Sequence, residues 1–345
     1  MSLDKLGMIK LEVEMELEKF FDKKILEVGD DFNREALEFL KEFTLRGGKR
    51  IRSGMFVYGY GCFKELNDEI IMASMAMELV QSYLLIHDDI IDRDILRRGK
   101  DSMHVIYEKN YPDNEKKHFG ISMAICIGDL AACLANEILL DTSFEHKELA
   151  ANIMNKMLEN VIRGQILDLI YEKKSFDEID EEKILEVYRL KSASYTVEGP
   201  LHIGAALAGV SNASLKPLLD YGITLGKAFQ IRDDINGVFG DEDKTGKSND
   251  SDLKQGKRTL LMIKTLNSCN EEEREFILNR IGKDIDKIDI EEIRKIIRKY
   301  SLQYCEELCD EYIRQAKTFI YDAELSDEGK KFLIGIAEFV AKRDN

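Results

Sequence analysis

Residues Ile71 to Asp94 read IMASMAMELVQSYLLIHDDIIDRD. Met75, Met77, Leu79, Val80, Leu84 and Leu85 supply an apolar side with no Pro or Gly to break it, so the stretch predicts one long helix. Asp88, Asp89 and Asp92 fall near its end. On a helix, Asp88 and Asp92 share a face one turn apart, while Asp89 points about 100° away and is expected to play a supporting part. Like charges at this spacing destabilise a bare helix by about 0.2–0.5 kcal/mol, and the negative end of the helix dipole opposes them further. Such an ending is sound only if a cation compensates. A solvated acidic helix end is the plain alternative, but Leu84, Leu85 and Ile86 just before it argue that the carboxylates face a pocket.

Further along the chain, Arg97-Arg98-Gly99 follows this cluster, and a guanidinium pair suits bidentate contact with phosphate oxygens. A second acidic cluster stands in Gln230-Ile231-Arg232-Asp233-Asp234. It is trailed by Gly240-Asp241, Gly246-Lys247 and Gly256-Lys257. Lys191-Ser192-Ala193 lies on a segment that reads as a helix from about Asp180, with Gly199-Pro200 expected to bend or end it. Gly47-Gly48-Lys49-Arg50-Ile51-Arg52 opens another helix, where glycines allow close backbone approach and free N–H groups favour anions. Any one of these basic residues reads equally well as a surface charge, and the combination is what points to hard divalent cations held against a diphosphate.

The whole chain of 345 residues has three prolines, no Trp, and long runs of Glu, Lys, Ile and Leu, a helix-forming composition. Apolar stripes such as Ile9, Val13, Leu17, Phe20 and Ile293, Ile297, Tyr300, Tyr304 repeat at helical spacing. No Ser/Gly/Pro linker divides the sequence. The expected fold is all-α, a single domain over residues 1–345 with ten or more helices around a central cavity. A net charge of −16 argues against a nucleic-acid partner. Six cysteines without a CxxC pair suit reduced core thiols in a cytoplasmic protein, and no apolar run approaches the length of a membrane span.

Taken together, these motifs resemble the trans-isoprenyl diphosphate synthases, or polyprenyl synthetases. The likeness runs in order from Gly47 to Leu261 and includes Gly128-Asp129, Gly164-Gln165 with Asp168, and Gly256-Lys257-Arg258-Thr259-Leu260. It is nearest to archaeal-type short-chain geranylgeranyl or farnesyl diphosphate synthases. The resemblance implies a homodimer using three magnesium ions, with manganese able to substitute. Metal binding would fall to Asp88, Asp92 and Asp233, with Asp89, Asp234 and Asp241 in support. Arg97, Lys191, Lys247 and Lys257 would contact the allylic diphosphate, and Lys49, Arg52, Gln81 and Arg98 the diphosphate of isopentenyl diphosphate. The Lys191 carbonyl, the Ser192 hydroxyl and the Gln230 amide would face the carbocation.

Four departures from the family pattern stand out. Gly237 stands where the second acidic motif usually has a third aspartate. Asp101-Ser102 replaces a proline-threonine, Gln81 replaces a frequent histidine, and Ser248 replaces a proline. At Gly237 a water or a loop carboxylate is expected to fill in. The fifth and fourth residues before Asp88 are Tyr83 and Leu84, the positions expected to set chain length. Their pairing resembles a geranylgeranyl producer, with a farnesyl producer as the alternative. Three other readings remain. A class I terpene cyclase shares the metal logic but needs no second diphosphate site. An HD-type phosphohydrolase needs more histidines than this sequence spaces suitably. A non-catalytic homologue acting as partner subunit would explain drift at Gly237.

Overall fold

Apolar residues at three- and four-residue spacing become helices over most of the chain. The computed structural model describes residues 2–240, 249–283 and 285–342. In chain order these form α1 (Ser2–Glu27), α2 (Asp31–Leu45), α3 (Ile51–Gly61), α4 (Asp68–Ile91), a two-residue hairpin of β1 (Leu96–Arg97) and β2 (Lys100–Asp101), α5 (Met103–Asn110), α6 (Lys116–Leu140), α7 (Lys147–Glu172) and α8 (Glu181–Val187). They continue with α9 (Gly199–Leu207), α10 (Asn212–Phe239), α11 (Ser251–Gln255), α12 (Leu260–Ser268), α13 (Glu271–Leu278), α14 (Lys287–Ile297), α15 (Gln303–Tyr321) and α16 (Asp327–Ala341). The all-α expectation holds.

The chain divides into two compact units, Met1–Asn152 with Pro200–Val210, and Ile153–Gly199 with Ser211–Asn345. In the first, α4 packs along α6, and α3, α1 and α2 cover its other sides. The helix read from Ile71 to Asp94 starts earlier, where the Asn67 side chain caps the Ile70 N–H at 2.9 Å, and it ends at Asp92. Helix α1 buries Leu6, Ile9, Val13, Leu17 and Phe21, so its stripe finishes on Phe21 rather than Phe20. In the second unit, α10 packs against α15 and against the segment Tyr188–Glu198.

Two stretches wind with wide, i→i+5 turns: Tyr188–Glu198 and Arg298–Leu302. Each extra residue per turn rotates the face that follows. After Arg298–Leu302 the buried positions become Ser301, Cys305 and Cys309, not the expected Tyr300 and Tyr304. Those tyrosines sit at the flank, where Tyr300 donates to Glu273 at 2.6 Å and Tyr304 to Glu181 at 2.5 Å. Nor does the helix end at Gly199-Pro200: the backbone stays helical there (Gly199 φ −61°, ψ −52°). The wide turns before it give the proline ring room that a regular turn denies.

The expectation about apolar runs takes an addition, and the one about core cysteines a correction. Helices Asp68–Ile91 and Lys116–Leu140 are each long and apolar enough, by length and composition, to cross a membrane. The first has 67% of its apolar window buried, which marks a core helix; the second has 44%. Of the cysteines, Cys62, Cys305 and Cys309 are buried, but Cys126 and Cys133 on α6 are exposed.

Helices α3 and α9 meet backbone to backbone at two glycines. A Cβ on Gly204 would collide with the Phe56 carbonyl oxygen and lie 2.9 Å from its carbon, and one on Gly59 would strike Leu201. Gly204→Ala is therefore expected to lower stability by about 1–3 kcal/mol or more, read as a fall in denaturation midpoint against wild type.

Candidate active site

In the first unit, α4 delivers its carboxylates at its C-terminal end. Asp88 lies in the last turn, and the Asp92 N–H caps the Asp88 carbonyl at 2.8 Å, so the two side chains stand one turn apart. Both are partly exposed, whereas Asp89 is fully buried. Arg97, brought back by the hairpin, donates to Asp89 through Nε at 2.7 Å and through Nη2; its Nη2 also lies 3.4 Å from Asp94 and 4.0 Å from Asp88. Burial pushes the Asp89 carboxyl up to about 6 despite the arginine. Asp89 is thus held inside the protein, and Arg97 is largely committed to it. What Arg97 can still offer an anion is its positive charge.

The hairpin turn is Arg98-Gly99, with both residues at positive φ (54° and 74°), a two-residue turn of the kind that matches strand twist. Its geometry lays Arg98 on the glycine loop before α3. Arg98 Nη1 donates to the Gly47 carbonyl, and a Cβ on Gly48 would stand 3.0 Å from Nη2. Gly47, Gly48 and Arg50 all have positive φ (94°, 115°, 51°), a local strain that holds the loop open to close approach.

Arg50 was not singled out from sequence, yet it is the loop's anchor. Buried, it donates to Glu78 at 2.7 Å and Glu14 at 2.9 Å, and Ser53 donates to Glu78 at 2.6 Å. Arg50, Glu78, Gln81, Ser82, Arg97 and Arg98 line one narrow pocket. Crowding by protein, then the charges of Arg50, Arg52 and Arg97, pull the Arg98 guanidinium below its usual range. Among the described residues, two buried polar atoms at this pocket, Arg50 Nη2 and Gln81 Oε1, have no hydrogen-bond partner. Converging cations and the unspent N–H of Arg50 fit an anion, whereas the Gln81 oxygen is an acceptor and asks for a donor. Lys49 is exposed on the same loop.

Tyr83 is half-buried on α4 and packs edge-on against His87, with ring centroids 4.9 Å apart. His87 reaches toward α6, 3.3 Å from the Ile125 carbonyl and 3.7 Å from Asp129. Gly128 admits the ring; any side chain there would collide with it. Leu84 is also half-buried.

In the second unit, the wide-turned segment Tyr188–Glu198 carries Lys191 and Ser192. Lys191 pairs with Asp168 of α7 at 2.7 Å, and Gly164 lets the two backbones touch. Ser192 donates to the Gln230 amide oxygen at 2.6 Å, and Gln230 Nε2 donates to Asp234 at 2.8 Å. The Tyr188 hydroxyl donates to the other Asp234 oxygen and accepts from the Leu260 N–H at 2.9 Å. Tyr188 is a functional neighbour that sequence reading missed. No motif marks it, because an aromatic one turn after buried Ile184 reads as ordinary core. Asp233 is partly exposed, one residue from the buried Asp234. Lys257 is half-buried just beyond the C-cap of α11. Asp241 and Lys247 lie outside the described residues.

Among the described residues, no three His, Cys, Asp or Glu side chains close into a cage for an ion. An i, i+4 carboxylate pair at a helix end suits magnesium, which keeps its waters and takes one or two carboxylates plus phosphate oxygens.

Residues 33–299 match the polyprenyl synthetase family. The chain belongs to that family. It is 32% identical over 303 residues to a geranylgeranyl diphosphate synthase of Sulfolobus acidocaldarius, covering 86% of this chain and 87% of that one. A geranylfarnesyl diphosphate synthase of Aeropyrum pernix is 31% identical over 306 residues, covering 86% and 91%. Among solved structures, a geranylgeranyl pyrophosphate synthase of Corynebacterium glutamicum, complexed with isoprenyl diphosphate and magnesium, aligns over 99% of both chains. Its TM-score is 0.90 at 32% identity. As a polyprenyl synthetase the chain is an enzyme, a trans-prenyltransferase of isoprenoid biosynthesis.

Burial pushes the Asp234 carboxyl from 3.8 up to about 8, against the hydrogen bonds from Tyr188 and Gln230. The folded protein therefore favours the neutral acid. The stability this confers is whole below pH 3.8, the unfolded value, and drains as pH rises toward about 8. In metal-free buffer, Asp234→Asn should flatten that decline between about pH 5 and pH 8, removing a slope of up to about 1.4 kcal/mol per pH unit. Unfolding midpoints of both proteins across that range provide the check.

Proposed function

We propose that this chain condenses isopentenyl diphosphate with an allylic diphosphate (dimethylallyl, geranyl or farnesyl) to make geranylgeranyl diphosphate. The observation that carries the reading is the arginine-crowded pocket holding Gln81 and Arg98, close by the Gly47–Arg50 loop. A terpene cyclase, with one diphosphate to bind, has no use for this second anion site. A phosphohydrolase of the HD type would need histidine ligands, and His87 instead faces Ile125 and Asp129.

In this reading Lys49, Arg52, Gln81 and Arg98 hold isopentenyl diphosphate. Arg97, Lys191, Lys247 and Lys257 draw charge from the allylic diphosphate, and Asp88, Asp92 and Asp233 carry magnesium, with Asp89 and Asp234 as struts. Magnesium supplies neutralisation of the diphosphate oxygens, so that the group can leave. The allylic carbon–oxygen bond breaks, and the double bond of isopentenyl diphosphate forms the new carbon–carbon bond. A proton is then lost, the departed diphosphate being its natural acceptor. Ser192 and Gln230 are well fitted to face the cation. Their mutual hydrogen bond, tied on to Asp234, fixes electron-rich oxygens without a nucleophile strong enough to trap it. Excluding water protects the same species.

We further propose a cytoplasmic homodimer. Exposed apolar residues on α6 (Ile125, Leu140) and on α7 (Ile162, Ile166) support it. The acidic composition offers no surface for nucleic acid.

Purified protein given dimethylallyl and isopentenyl diphosphates with magnesium should yield geranylgeranyl diphosphate by chromatography. Turnover without isopentenyl diphosphate would favour a cyclase, and a product that stops at farnesyl diphosphate would correct the chain length. Tyr83→Ala should lengthen the main product by at least one isoprene unit, and an unchanged product spectrum would remove Tyr83 as the stop.

A further inference from the structure

Helix α10 carries Asp233 and, one turn later on the same face, Gly237. The first acidic cluster has a carboxylate at both corresponding positions, Asp88 and Asp92. The second has none at Gly237. That space is filled from elsewhere. A Cβ built on Gly237 would overlap the reach of Asp252 Oδ2 and stand 3.4 Å from Asp252 Cγ. The Asp252 oxygen is about as far from that imagined Cβ as a carboxylate oxygen is from Cβ within an aspartate itself.

The placement is built into the second unit. Asp252 lies in the first turn of α11, which is anchored by the buried Leu253 and closed by Gly256 at φ 70°. The Gly282 N–H donates to the Leu253 carbonyl at 3.1 Å, and the Lys257 N–H to the Asp252 carbonyl at 3.0 Å. Arg294 then ties the two helices together. Its Nε donates to the Val238 carbonyl of α10 at 2.8 Å, and its Nη2 to Asp250, the residue before α11, at 2.8 Å. The end of α10 and the start of α11 are thus clamped by one partly buried guanidinium, one residue past Gly237 and two before Asp252.

We propose that Asp252 supplies, through space, the carboxylate that the second acidic cluster lacks at Gly237, so that Asp233 and Asp252 together serve one magnesium ion. The inference rests on the reading of Asp233 as a magnesium ligand and deepens it. It also gives Gly237 a reason: a side chain there would displace the carboxylate that replaces it.

The test is reciprocal exchange, read by metal binding as well as turnover. Manganese uptake is followed by loss of the free-ion electron paramagnetic resonance signal, with inorganic diphosphate present. Asp252→Asn should weaken the last-filled manganese site about tenfold or more while leaving the circular dichroism spectrum unchanged. Gly237→Asp alone should also bind poorly, because its side chain meets Asp252. Gly237→Asp combined with Asp252→Gly should bind better than either single variant and return to within a few-fold of wild type. If Asp252→Asn takes up manganese as wild type does, or the double variant regains nothing, the inference is overturned. If Asp252→Asn misfolds, the double variant decides alone. A wild-type protein that takes up no manganese with diphosphate would overturn the magnesium reading itself, and the inference with it.

Discussion

Carboxylates gathered at the end of an apolar helix need a partner charge, and the local structure is arranged around that need. Asp88, Asp89 and Asp92 fall where the helix dipole and their mutual repulsion both disfavour them. The protein meets part of the demand with Arg97, which is sunk against Asp89 by a tight hairpin. The partly exposed Asp88 and Asp92, one turn apart, have the spacing that suits an ion bringing its own waters and phosphate oxygens. The opposite problem stands in the same unit. Burial and then the charges of Arg50, Arg52 and Arg97 disfavour the charged Arg98, a demand that an anion would answer. Cation-seeking and anion-seeking groups in one unit are what the chemistry of a metal-bound diphosphate enzyme asks for.

Rigid local devices hold these charges. Positive φ at Gly47, Gly48 and Arg50 shapes the loop, and the buried Arg50–Glu78–Ser53 set pins it to α4. In the second unit, the chain Ser192–Gln230–Asp234–Tyr188 fixes the amide of Gln230 in one orientation. Burying Asp234 and Tyr188 is tolerable because both carboxylate oxygens and the tyrosine hydroxyl have hydrogen-bond partners.

Much of this was legible beforehand. Helix after helix follows from the spacing of apolar residues, and Asp89 as a strut follows from its 100° offset along the helix. Other features were not legible. The shift from Tyr300 and Tyr304 to Ser301, Cys305 and Cys309 needs an extra residue in one turn, which no periodicity count reveals. Tyr188 escaped notice because, one turn after Ile184, it reads as a plain core aromatic. Arg50 was hidden by its neighbours: in a run of glycines and basic residues, nothing in the residue types says which one turns inward to Glu78. The two membrane-length helices escaped because polar residues interrupt their apolar runs while leaving the average apolar.

By itself the sequence determined an all-helical chain, because helical periodicity and helix propensity are local properties that survive without a tertiary partner. It also determined which residue types carry the chemistry, since aspartates one turn apart and glycine-flanked basic residues keep those relations in any helix. Only the tertiary structure decided which charges are spent inside the protein and which remain for a ligand. Arg97 and Asp89 are consumed by each other, Arg50 by Glu78, and the gap at Gly237 is filled by Asp252. Those outcomes depend on burial and on contacts between residues far apart in the chain. A carboxylate exposed to water and one set against a guanidinium have the same letter and a different free energy.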